Sequence, residues 1–349
     1  MRKKFIATVI AVITAATGLT APEVGACTRI VYQGADSLIA VGRSLDWKTP
    51  IPTNLWVYPR GIKKVSHNLP GAISWTSRYG SVYAVGYDSG VTEGMNEMGL
   101  TVNGLFCKGT VYVGEDGPGD RAPMSLAVFV TWLLDLNATT AEAVNALRTT
   151  PFAISGSSFD GGTSTTLHWA ITDVSGHTAV VEFVRGEMKI YDNVDTPVLT
   201  NDPTWPAMNA INDYWRGVGG VNMLPGTVKS PDRFVRADFF VSHVSRTADP
   251  DLAVAITRSI VMNCSVPYTY EIETEPNVSS TQWRSIALPR DRRYYFDIVT
   301  NPGMVYIDLE ALDIYRGAPI LKLDTSMLDD AVGCVNSRLK ASKPFTPVY

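Results

Sequence analysis

The chain is poor in the residues from which many functions are built. Its 349 residues hold four Cys and four His, and Asp, Glu, Lys and Arg together make up 18%. Four Cys in a chain this long exclude a disulfide-stapled miniprotein, because a large core supplies the stability that small secreted domains draw from cross-links. His67, His168, His177 and His243 show no metal-ligand spacing, so no metal centre is expected of them. A net charge of −4 leaves no basic footprint for nucleic acid. The chain has no repeat, no low-complexity run and no long linker. The glycines of residues 114–123 lack the Lys-Ser/Thr sequel of a phosphate loop.

Long apolar runs are also scarce, and the one at the N-terminus is informative. Arg2, Lys3 and Lys4 precede an apolar stretch over residues 5–16. Pro22 and Glu23 break it, and the small-residue exit Val24-Gly25-Ala26 leads directly to Cys27. This is the three-part pattern of a secretory signal peptide. The stretch is shorter than the roughly 18 residues a spanning helix needs. The later run over 122–136 holds Pro123, Ser125, Thr131 and Asp135 and reads as a buried helix. Residues 1–26 are therefore expected to be a signal peptide, cleaved at Ala26/Cys27, with export to the periplasm or the medium. Residues 27–349 are expected to form a single domain. The junction also resembles a lipoprotein signal, in which Cys27 would be lipidated, its amine blocked and the protein a membrane-held binding protein. Glu23 and the break before the junction weigh against that reading, and no membrane anchor is expected.

Residues 28–32 and 38–42 are β-rich runs joined by the turn-forming cluster 33–37, which reads as a hairpin with Cys27 at its head. Further strands are expected at 54–58, 81–87, 100–106, 165–171, 178–183, 188–191, 283–288, 293–299 and 304–308. Helices are expected at 124–136, at 140–148 behind the capping-box spacing Thr139…Glu142, at 232–243 and at 252–261. Met95 and Met98, beside Gly94 and Gly99, read as packing at a tight turn. Runs of strands alternating with runs of helices favour an α+β layered domain over a βαβ fold.

Cleavage before Cys27 would place a free α-amine on the same carbon skeleton as a thiol. A thiol of pKa about 8.5 beside an amine of pKa about 8 is a nucleophile with its own base, so no His is needed. His168, between Leu167 and Trp169, reads as a structural residue. The second hairpin strand ends in Gly42-Arg43-Ser44-Leu45-Asp46-Trp47, and antiparallel pairing returns this end to Cys27. There Arg43 would favour the thiolate and Asp46 would accept from the amine. Glu271, Glu273 and Glu275, as carboxylates of a glycosidase, are a weaker alternative; their i, i+2 spacing puts them on one solvated strand face.

Cys27-Thr28, Gly42-Arg43-Ser44-Leu45-Asp46, residues 94–100 (GMNEMGL), residues 165–169 (TTLHW), residues 198–203 (VLTNDP) and Asp232-Arg233-Phe234 follow one another along the chain. In that order they resemble the choloylglycine hydrolase and penicillin V acylase family of N-terminal nucleophile hydrolases. The resemblance implies a four-layer αββα sandwich of two antiparallel sheets between helical layers, and usually a tetramer. It implies Cys27 as nucleophile and base, with Arg43 flanking the thiol and Asp46 orienting the amine. Asn201 would then be the oxyanion donor and Arg233 a distal electrostatic support. Phe106 stands where relatives carry Asn or Tyr; its N–H can still serve the oxyanion, but its ring offers no side-chain hydrogen bond. With Trp47 it would wall an apolar pocket for an aryl or fatty acyl group. The signal peptide and Asp46-Trp47 look like the exported Gram-negative branch, associated with penicillin V and N-acyl homoserine lactones. The expected substrate is accordingly a small N-acyl amide, with conjugated bile salts as the alternative. No metal or organic cofactor is implied. Cys107, Cys264 and Cys334 are expected to be core residues.

Overall fold

A computed structural model describes residues 26–114, 117–156, 165–269 and 279–349. Residues 1–25 of the expected signal peptide 1–26, and Glu271, Glu273 and Glu275, lie outside the described residues. The hairpin forms as expected. Strand β1, Thr28–Gln33, pairs antiparallel with β2, Ile39–Trp47, with Thr28 opposite Ser44 and Arg29 opposite Arg43. Asp36 and Ser37 take positive φ in the tight connection, a conformation that short polar side chains tolerate.

Seven strands build one sheet, in the order Val198–Leu199, β1, β2, Ser280–Leu288, Arg293–Ile298, Val305–Asp308, Gly333–Cys334. Nine build the other: Glu187–Asp192, Thr178–Val184, Leu167–Thr172, Thr101–Phe106, Gly90–Asn96, Ser81–Gly86, Thr53–Tyr58, Leu321–Leu323, Lys340–Ala341. Pairing is antiparallel throughout, except where Val305–Asp308 meets Gly333–Cys334. The two sheets bury their facing sides against each other, with Val31, Val41 and Leu45 meeting Leu55, Val82 and Leu105.

Helices cover both outer faces. On the nine-stranded sheet lie α1, Leu126–Leu136, and α2, Thr140–Thr149, with Phe129 and Leu133 packed against Tyr83, Trp169 and Phe183. Next along the chain comes α3, Trp205–Val218, whose Met208 packs with Val198 and Phe234 on the side of the seven-stranded sheet. Two more helices, α4 over Ser230–His243 and α5 over Pro250–Asn263, cover the seven-stranded sheet through Phe234, Ile260 and Val261 against Ile30. Gly42 shows how tightly α5 seats on β2: a Cβ there would lie 2.5 Å from Thr257 and 2.9 Å from Val261. The α+β sandwich of two antiparallel sheets between helices is the fold expected from the sequence.

Several local expectations are corrected. Residues 122–125 form a short strand, parallel to Phe152–Ser155, and α1 starts only at Leu126, where the Ser125 hydroxyl accepts from Ala127 N–H. Met95 lies in the Gly90–Asn96 strand, fully buried, and the tight turn is the segment after it, where Gly99 has φ +82. Helix α3 is not among the helices expected from the sequence, although Thr204 and Pro206 stand at its head. All four cysteines are free; Cys107 and Cys264 are buried, but Cys334 is exposed on the edge strand Gly333–Cys334, not in the core.

Candidate active site

Cys27 is buried at the head of β1. The Thr28–Ser44 register brings the end of β2 beside it, as the hairpin predicts. The Arg43 guanidinium reaches from one sheet to the other: Nη2 donates to the Gly104 carbonyl at 2.6 Å and lies 3.9 Å from Cys27 Sγ. The Trp283 ring lies 4.7 Å from its Cζ.

Asp46 is fully buried, and its backbone carbonyl stands 4.0 Å from Cys27 Sγ. Its carboxylate accepts from Ser44 Oγ at 3.2 Å and Thr281 Oγ1 at 2.5 Å. Burial pushes this carboxyl up to about 6, against the opposing pull of Arg233, Thr281, Arg43 and Ser44. The Cys27 nitrogen donates instead to Asn201 Oδ1, at 2.7 Å.

Asn201 connects the remaining parts. Its Nδ2 donates to the Phe106 carbonyl at 2.7 Å, and its own N–H donates to Ser230 Oγ at 2.9 Å. Arg233, fully buried near the start of α4, donates through Nη2 to Asn201 Oδ1 at 2.6 Å. Nη1 donates to the Cys27 carbonyl and to Thr28 Oγ1, and Nε to the Val228 carbonyl. Burial lowers the pKa of Arg233, opposed by Asp46 and Cys27. Cys27, Arg43, Asp46, Asn201 and Arg233, singled out from four separate stretches of sequence, thus form one buried cluster.

The loop carrying Asn201 is pinned by residues that sequence reasoning had set aside or missed. His168 Nε2 bonds the Thr200 carbonyl at 2.8 Å, and Nδ1 lies 3.1 Å from Glu182 Oε1. Glu182 Oε1 also accepts from Trp205 N–H at 2.8 Å. Both ring nitrogens of His168 are occupied, so the histidine is structural, as its place between Leu167 and Trp169 suggested. Asp202 accepts from the Lys108 and Gly109 N–H groups, each at 2.8 Å, tying the same loop to the turn after Phe106. Glu93, also missed, forms a buried ion pair with Arg43. Its one sequence signal was a carboxylate inside an otherwise apolar, small-residue strand.

Outside Cys27 opens a cavity of roughly 100 Å³. Trp47 and Phe106 meet edge to face across it, ring centroids 5.2 Å apart, and Ile51, Val91, Leu126 and Leu167 complete apolar walls. The polar side chains that line it are Cys27, Arg43 and Asp46, and further along Tyr87, Thr92 and Thr165. Among the described residues no cluster of His, Cys, Asp and Glu is arranged to hold a metal ion.

Two stacked antiparallel sheets between helical layers, with a cysteine at the head of an inner strand, define an N-terminal nucleophile hydrolase. Residues 27–328 match the model of the linear amide C–N hydrolases, choloylglycine hydrolase family, and the chain belongs to that family. It is 33% identical over 346 residues to a penicillin V acylase of Pectobacterium atrosepticum, covering 92% of this chain and 91% of the relative. The solved penicillin V acylase of Agrobacterium tumefaciens superposes with a TM-score of 0.85 at 38% identity, over 92% of this chain and 99% of that one. A bile salt hydrolase/transferase of Clostridium perfringens is 26% identical over 81% of this chain and 92% of its own length. The protein is a linear amide hydrolase of the type shared by penicillin V acylases and bile salt hydrolases.

Proposed function

We propose that the protein is an exported amidase that cleaves N-acyl amides with an aryl or long fatty acyl group, penicillin V and N-acyl homoserine lactones before conjugated bile salts. The observation that carries the substrate class is the Trp47–Phe106 wall directly outside Cys27. An apolar aromatic wall gains from burying an acyl chain and offers nothing to a sterol's hydroxyl groups. The likeness to two penicillin V acylases supports the same choice.

In the full-length chain the Cys27 nitrogen is an amide; removal of residues 1–26 makes it an amine. That the family match opens at residue 27 supports cleavage there. The freed amine gains N–H donors beyond the one held by Asn201, and Asp46 is the carboxylate of the cluster available to orient it. The amine takes the thiol proton as Sγ attacks the amide carbon, with Arg43 beside the developing charge. The new oxyanion receives the second hydrogen of Asn201 Nδ2 and the Phe106 N–H. In an antiparallel strand the N–H and C=O of one residue face the same side, and the Phe106 carbonyl already faces Asn201. The amine then gives its proton to the leaving nitrogen, a thioester remains, and water releases the acid. Assembly as a tetramer belongs to the same reading.

Turnover of phenoxymethylpenicillin, a long-chain N-acyl homoserine lactone and glycocholate by the mature protein tests the proposal. Efficient glycocholate cleavage with neither of the others would overturn the ranking. Intact mass tests the start: an unmodified Cys27 is required, and a lipid-modified one would return the protein to the binding lipoproteins.

A further inference from the structure

Arg29 and Arg43 stand directly opposite one another on β1 and β2, and both are buried. Like charges paired across strands repel, and a dry interface between sheets leaves water no part in screening them. The facing sheet brings one carboxylate to this row. Glu93, beside Asn103 in the nine-stranded sheet, is fully buried, and its Oε2 lies 3.0 Å from Arg43 Nε. Its other oxygen accepts from the hydroxyls of Ser285 and Tyr294 on the seven-stranded sheet. Arg29 donates to Asn103 Oδ1 at 3.3 Å and to Thr172 Oγ1 at 2.5 Å. Burial pushes Arg29 down to about 9, with Glu93 pulling the other way.

The hold on Arg43 is directional. Gly104 takes one hydrogen of Nη2, and Trp283 lies against the guanidinium. Glu93 sits at the Nε side as an ion-pair partner, and its charge draws the fork toward the orientation in which Nη2 faces the sulfur. We infer that Glu93 is a positioning residue for the thiol chemistry: it fixes the Arg43 guanidinium against Cys27 and cancels part of the charge Arg43 presents to the sulfur. Arg29, Arg43 and Arg233 share this interior with the carboxylates Glu93 and Asp46, which leaves one positive charge in excess to favour a thiolate at Cys27. The inference rests on Cys27 being the nucleophile.

Two variants separate position from charge. Glu93→Gln keeps an acceptor for Arg43 Nε and removes the negative charge. Alkylation of Cys27 by iodoacetamide at pH 6, read by peptide mass so that the exposed Cys334 is counted apart, should then be faster by about threefold or more, because less of the Arg43 field is cancelled. The acid limb of kcat/KM for phenoxymethylpenicillin should move to lower pH. Glu93→Asp keeps the charge on a shorter arm, so it should lower kcat by roughly tenfold or more through displacement of Arg43, with the acid limb in place. In an Arg43→Gln background, Glu93→Asp should cause no further fall in kcat, since no guanidinium is left to displace. A Glu93→Asp loss of equal size in that background would overturn the inference, as would unchanged alkylation and an unchanged acid limb in Glu93→Gln. If Glu93→Gln does not fold, Glu93→Asp decides, and a wild-type kcat in it overturns the inference. Full activity in Cys27→Ser would instead remove the nucleophile reading itself, whatever the Glu93 variants do.

Discussion

Arg233 Nη2 donates to Asn201 Oδ1 at 2.6 Å, and this contact decides which way the Asn201 amide faces. A guanidinium has no acceptor, so the atom it meets must be the oxygen. The Cys27 nitrogen, 2.7 Å from the same atom, agrees. Nδ2 is thereby turned to the Phe106 carbonyl, with its second hydrogen left for a reacting oxygen. Arg233 is thus not the distal support expected of it but an orienting residue in contact with Cys27 itself, through the Cys27 carbonyl.

Asn201→Asp keeps the acceptor for Arg233 and removes the donor. Loss of one oxyanion donor costs about 100- to 1000-fold in kcat, and KM should change far less, because the donor acts on charge that develops only in the transition state. Steady-state kinetics on phenoxymethylpenicillin measure this. A variant within about threefold of wild type would show that Asn201 serves the fold alone.

Asp46 sets a pH dependence whose sign follows from its burial. An unfolded Asp ionises near 3.9, while burial raises the folded carboxyl to about 6. The folded state binds this proton more tightly, so the stability it contributes is present below about pH 4 and is lost as pH rises through about 6. The difference is on the order of 3 kcal/mol. Asp46→Asn stays neutral and removes it. In urea unfolding, the variant should therefore gain on wild type between pH 4 and pH 7 by that amount. A stability gap that is the same at both ends of this range would show that Asp46 does not titrate there.

The hairpin was legible because each of its signals was local: β-branched runs, a turn cluster between them, and a strand pairing that returns Arg43 and Asp46 to Cys27. Helices α1, α2, α4 and α5 announced themselves by apolar content or caps, with ends off by a few residues. Helix α3 was not read, and it carries only Met208 and Asn212 into the interior. Glu93 was illegible for a different reason. Its partners Arg43, Ser285 and Tyr294 come from distant stretches and meet it only when the two sheets stack. Local pattern specifies a strand's faces but not which strand of another sheet will lie across from it.

The His168–Glu182 pair carries a prediction about the loop rather than the chemistry. Burial disfavours a charged His168, yet Cys107 and Glu182 outweigh it and raise the imidazole to about 10. Since an unfolded His titrates near 6.5, the stability from this pair is present below that pH and fades as pH rises through about 10. Glu182→Gln leaves the buried imidazole without its counter-charge and loosens the Trp205 N–H. Breaking such a pair costs about 3–5 kcal/mol, and kcat should fall with it because the loop bears Asn201. Denaturant unfolding at pH 7 together with kcat reads both. A variant that loses stability but keeps kcat would separate the clasp from catalysis.

The acyl pocket offers a test that leaves the catalytic cluster untouched. Gly86 ends the Ser81–Gly86 strand, and a Cβ there would meet Ile51 at 3.4 Å and Thr92 at 3.8 Å, both lining the cavity. These are ordinary contacts, so a side chain at this position grows into the pocket without a backbone clash. Gly86→Val should shorten the acyl group the enzyme accepts. Each buried methylene is worth about 0.8 kcal/mol, so displacing two or three of them should lower kcat/KM for a long-chain N-acyl homoserine lactone by roughly 10- to 50-fold. A short-chain analogue should be hydrolysed nearly as well as by wild type, because its acyl group never reaches Gly86. Equal losses on both substrates would place the acyl group elsewhere, and with it the role given to the Trp47–Phe106 wall.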